Sequence, residues 1–76
     1  MEAQELMKDV ETSLQDYLRR YKYKMILVND KTFVIELDSL TITVADELTR
    51  KIRPFSYNWF AASKKAGILT ITIFKM

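Results

Sequence analysis

Cysteine and histidine are both missing from this 76-residue chain, and glycine and proline occur once each, as Gly67 and Pro54. Without cysteine there are no disulfides, thiolate metal clusters or thiol nucleophiles, which fits a reducing compartment. Without histidine the usual general base near neutral pH and the commonest transition-metal ligand are gone. One glycine cannot build a glycine-rich phosphate loop, which needs several positions without a Cβ. No apolar run approaches the ~20 residues needed to span a bilayer. The opening Met1-Glu2-Ala3-Gln4-Glu5 is acidic, unlike a signal or transit peptide. These absences lead us to expect a cytoplasmic, non-enzymatic protein without cofactor, metal or membrane partner.

What the chain does have is apolar mass. Hydrophobic residues make up 49% of it, generous for a single domain over residues 1–76 that can hide only ~60% of its unfolded surface. The surplus points to a protein partner, and a second copy of the chain is the cheapest one. Charge is segmented around a net +2. Acids dominate residues 1–16 and 29–47. Arg19, Arg20, Lys22 and Lys24 form one basic cluster, close to Tyr17, Tyr21 and Tyr23. From residue 50 onward every charged side chain is basic: Arg50, Lys51, Arg53, Lys64, Lys65 and Lys75. Such a segment can attract an anionic partner even in a nearly neutral chain.

Periodicity predicts an α+β fold. Ala3, Met7, Val10, Leu14, Tyr17 and Tyr21, widened by Leu18, recur at helical spacing. Residues 23–28 and 31–38 read as strands, the second with Phe33, Ile35 and Leu37 on one face, joined by a turn at Asn29-Asp30. Leu40-Thr41-Ile42-Thr43-Val44 reads as a third strand. A second helix is expected over residues 46–66, kinked or split at Pro54, whose ring clashes with the carbonyl four residues back. The last strand is residues 68–75. The expected order is α-β-β-β-α-β, with one mostly antiparallel four-stranded sheet packed on the helices.

Leu40-Thr41-Ile42-Thr43-Val44 almost repeats Leu69-Thr70-Ile71-Thr72-Ile73. As strands, both put aliphatic side chains on one face and threonines on the other. A neutral sheet face follows, gathering Thr41, Thr43, Thr70, Thr72, Thr32, Val34 and Phe74. Ile26 and Val28 join it if the first strand is so phased, and Lys22, Lys24 and Glu36 interrupt it. An uncharged face of this kind is a candidate contact surface unless a helix covers it.

The basic and aromatic stretch at residues 50–60 splits when read in helical phase. Leu48, Ile52, Phe55, Trp59, Ala62 and Ala66 form an expected core seam with Phe60 at its flank. Arg50, Arg53, Tyr57 and Lys64 fall on the other side as a basic stripe. Three cations can contact phosphates and a tyrosine can stack on a base. The acids Glu36, Asp38, Asp46 and Glu47 have the types to hold Mg²⁺, but three of them sit where turns and helix starts call for acids. Two readings result: a regulatory or binding module acting through protein contacts as a homodimer, or a nucleic-acid binder using the two basic clusters.

Overall fold

The computed structural model describes residues 1–19 and 22–76. Helix α1 (Ala3–Leu18) is followed by strands β1 (Tyr23–Asn29) and β2 (Thr32–Leu37), helix α2 (Ile42–Ile52), a 3₁₀ turn over Arg53–Phe55, and strands β3 (Tyr57–Lys65) and β4 (Ile68–Lys75). The strands form one antiparallel sheet in the order β1-β2-β4-β3. The α+β class, the two helices and the single four-stranded sheet are those the sequence implies. The chain runs as two α-β-β halves, with β2 and β4 side by side at the centre.

Helix α1 starts where the Ala3 amide donates to the carbonyl of Asp30, 2.8 Å away in the β1–β2 turn. It buries Ala3, Leu6, Val10, Leu14 and Leu18. Met7 is only half-buried and Tyr17 stays exposed, so the seam runs through Leu6 and Leu18 in their places. Tyr21 lies outside the described residues. At the β1–β2 turn the Asn29 side-chain oxygen accepts the Lys31 amide at 2.8 Å, the local bond that favours asparagine there.

Two segments differ from expectation, and each has a local cause. Residues 40–44 are not a strand. The Thr41 hydroxyl accepts the Val44 amide at 3.2 Å and caps α2, and Val44 then continues with Leu48 and Ile52 as one buried stripe. Arg50 and Lys51 lie in the last turn, at the negative end of the helix dipole. The second helix therefore begins earlier than its acids suggest and stops just before Pro54, which lies in the 3₁₀ turn. Ser56 then takes a left-handed conformation, φ 64°, and turns the chain into β3. Residues 57–65 are strand rather than helix because β4 offers partners from Tyr57 to Ser63 and again at Lys65, which overrides the helix preference of alanine and lysine. Gly67, at φ 79°, closes the β3–β4 turn instead of ending a helix.

Both helices pack on one face of the sheet. There they meet Phe33, Ile35 and Leu37 of β2, Ile71 and Ile73 of β4, and the ring of Tyr57. Each such side chain stabilises the fold by ~1.5–3 kcal/mol relative to exposure. Trp59 packs at the margin of this core and donates its indole N–H to the Thr49 hydroxyl at 2.8 Å. The two chain ends meet at one dipeptide. The Tyr57 hydroxyl donates to the Met1 carbonyl at 2.9 Å, and the Met76 amide donates to the Ser56 carbonyl at 2.8 Å. No described helix is long and apolar enough to cross a membrane.

Candidate interaction surface

Neither of the described helices lies on the second face of the sheet. Its middle row crosses all four strands as Ile26, Val34, Thr72 and Phe60, each opposite the next in register. One row over lie Thr32, Phe74 and Asn58; on the other side lie Lys24, Glu36, Thr70 and Ala62. Phe60 is 54% exposed and Ile26 36%. The Phe60 and Phe74 rings stand 5.9 Å apart, tilted by 52°, an edge-biased arrangement that stabilises aromatic pairs.

Of the seven residues gathered on this face from the sequence, five lie on it and two do not. Thr32, Val34, Thr70, Thr72 and Phe74 come together, because alternation in a strand fixes the face without knowledge of strand order. Thr41 and Thr43 do not join them, since both belong to α2, one as its cap and one in its first turn. Phe60 is the principal residue that sequence reasoning misplaces. Assigned to the margin of a helical core, it stands instead on the open face, at the β3 end of its middle row. The period-two pattern Tyr57, Trp59 against Asn58, Phe60 was the signal available.

The stripe of Arg50, Arg53, Tyr57 and Lys64 does not exist, because no helix runs through Pro54. Arg50 is on α2 and pairs with Glu47 at 3.2 Å; Arg53 is exposed in the 3₁₀ turn. Tyr57 is fully buried, and burial together with the charge of Glu2 raises its phenol above the ordinary value. The Lys75 ammonium lies 5.2 Å from the centre of its ring and donates to the Phe55 carbonyl at 2.9 Å. Tyr57 therefore has no face left for a base.

The other basic cluster divides as well. Arg19 is exposed near Asp16 at 3.9 Å and, with Tyr17, lines an open cleft of about 650 Å³ between α1 and the start of α2. Arg20 lies outside the described residues. Lys22 and Lys24 belong elsewhere: with Glu36 and Ile68 they line a shallow hollow at one end of the open face. Lys64 reaches the same place and donates to Glu36 Oε2 at 2.7 Å. This bond, with the nearby charges of Lys24 and Lys65, holds the Glu36 carboxyl below its ordinary pKa despite some burial. Two clusters distant in sequence, Lys22 with Lys24 and Lys64 with Lys65, become one basic rim around a single acid.

The remaining acids stay apart. Asp38 and Asp46 are exposed, Glu47 is engaged by Arg50, and among the described residues no three carboxylates group as metal ligands. A second phenol, Tyr23, donates to Glu11 at 2.9 Å, which ties β1 to α1 and raises the Tyr23 pKa. Comparison of the chain with protein-family models, with curated proteins and with solved structures finds no match.

Proposed function

We propose that this chain is a non-catalytic binding module that works by protein contact through its open sheet face, with a second copy of itself as first partner. The supporting observation is the uncovered row Ile26, Val34, Thr72 and Phe60, which leaves two large apolar side chains in water on a small domain. Uncharged sheet surface of this kind is removed from water at interfaces. The basic rim around Glu36 supplies orientation more than affinity. Light scattering across a concentration series tests the reading. The mass is expected to rise above that of one chain, to persist at high salt, and to fall in Thr72→Lys. An unchanged mass in Thr72→Lys sinks it.

The rim itself favours a second reading, a single-stranded nucleic acid lying across the face. Lys22, Lys24, Lys64 and Lys65 gather at one end of a face whose successive rows carry Phe60 and then Phe74, so cations and aromatic planes follow one another along a path that suits a backbone with unstacked bases. Titration with a single-stranded oligonucleotide at low and high salt separates the two. Binding that collapses steeply as salt rises selects this reading, because counterion release drives it.

A further inference from the structure

The two edges of the sheet are unlike. The β1 edge is flanked by Lys22 and Lys24 and bent by a register shift between Leu27 and Asn29, devices that discourage a further strand. The β3 edge carries neither along residues 58–63, where Asn58, Trp59, Phe60, Ala61, Ala62 and Ser63 pair with β4 without interruption.

Which backbone groups face outward follows from two hydrogen bonds. The Met76 amide donates to the Ser56 carbonyl, and the Lys75 amide donates to the Lys31 carbonyl on the other side of β4. Antiparallel pairs alternate between bonding each other and facing away. Along the register, Asn58, Phe60 and Ala62 therefore aim N–H and C=O at β4, and Trp59, Ala61 and Ser63 aim theirs at the open edge. The Trp59 amide is already taken by its neighbour's side chain, Asn58 Oδ1, at 2.9 Å. Past Ser63 the register shifts. The free ladder is thus Ala61 and Ser63, with only small, exposed, uncharged side chains at residues 61–63.

We propose that β3 pairs with β3 of a second copy, antiparallel about a two-fold axis at Ala62. Ala61 of each chain exchanges its backbone hydrogen bonds with Ser63 of the other, and the two sheets become one. The free positions complement each other under that rotation, as an isologous contact requires. Charge selects the direction. Antiparallel pairing sets the two Lys64 side chains roughly 13 Å apart along the strands at ~3.3 Å per residue, beyond the ~8 Å screening length of physiological salt. Parallel pairing in register would put lysine beside lysine. The edge contact uses backbone groups of β3 and the face reading uses side chains; Ala62 belongs to both, and Thr72→Lys, one strand away on β4, separates them.

Amide hydrogen exchange followed by NMR, on the native chain and on Thr72→Lys, is the test. Where ~90% of chains are paired, exchange at Ala61 and Ser63 is expected to slow roughly tenfold relative to dilute protein, while Phe60 and Ala62 exchange at an unchanged rate. Ala61→Pro removes an outward amide but no bond to β4, and it is expected to abolish the concentration dependence. Exchange at Ala61 and Ser63 that ignores concentration in both the native chain and Thr72→Lys overturns the inference, whatever becomes of Ala61→Pro. Self-association without that protection, lost in Thr72→Lys, overturns it while leaving the face reading intact. Protection that survives in Thr72→Lys supports the edge even if the face proves idle.

Discussion

Leu40-Thr41-Ile42-Thr43-Val44 and Leu69-Thr70-Ile71-Thr72-Ile73 differ by one methylene group, yet one enters a helix and the other forms the middle of a central strand. The same letters meet different fates. Ile42 is 82% exposed, whereas Ile71 is fully buried between neighbouring strands. Thr41 caps a helix; Thr70 and Thr72 lie on the open face of the sheet. Flanking residues decide between them. After Val44 the next apolar residues to find the core are Leu48 and Ile52, at helical spacing, so a helix buries all three on one side. Before Leu69 comes a glycine turn, and strands wait on both flanks. Strand preference in β-branched residues is a preference for a place in a sheet, and residues 40–44 have none to take.

Substitutions at matched positions can break this comparison. Ile71→Ala is expected to cost ~2–5 kcal/mol, enough to populate the unfolded state of so small a domain, while Ile42→Ala costs under ~0.5 kcal/mol. Equal shifts of the two urea midpoints would refute the packing account. Thr41→Ala removes the cap of α2 and is expected to cost ~1 kcal/mol; Thr70→Ala, which ends no helix, should cost a few tenths. Circular dichroism during thermal melting distinguishes them. Thr72→Lys and Thr43→Lys should each change stability by ~0.5 kcal/mol or less, but only the first lowers the associated mass in light scattering.

The smallest effect concerns Glu36, at the end of the face that Thr70 shares. Its folded pKa lies below the ordinary carboxylate value because Lys64 bonds the charged form. Its stabilisation is therefore present above the unfolded pKa of about 4.5 and is lost as pH falls through the lower folded value. Glu36→Gln is expected to flatten the acidic limb of a stability profile below that pH and to leave neutral pH almost unchanged. A profile that keeps its slope in Glu36→Gln assigns the acid sensitivity to other carboxylates.

Elements whose pattern is self-contained were readable in the sequence. α1, the β1–β2 hairpin and β4 each declare their period within a few residues, and with them the central strands' share of the open face, Thr32, Val34, Thr70, Thr72 and Phe74. The parts that were not readable depend on partners distant in the chain. Tyr57, Trp59 and Phe60 fit a helical seam as well as a strand until β4 is known to lie beside them. The basic stripe failed for the same reason, since its four members shared a side only if one helix ran through Pro54. Conversely, the rim of Lys22, Lys24, Lys64 and Lys65 exists only because the β1, β2, β3 and β4 ends meet at one corner, which no local pattern announces.

The mooring of Met1 on the Tyr57 hydroxyl and of Met76 on the Ser56 carbonyl has an engineering consequence. Adjacent residues hold both ends, so a short flexible linker can splice residue 76 to residue 1 and new ends can be opened at the Ala66-Gly67 turn. Such a rearranged chain keeps every strand neighbour while β4, synthesised last in the original order, comes first. Appended labels, in contrast, emerge from the original ends at one shared spot, and two bulky ones would crowd each other there.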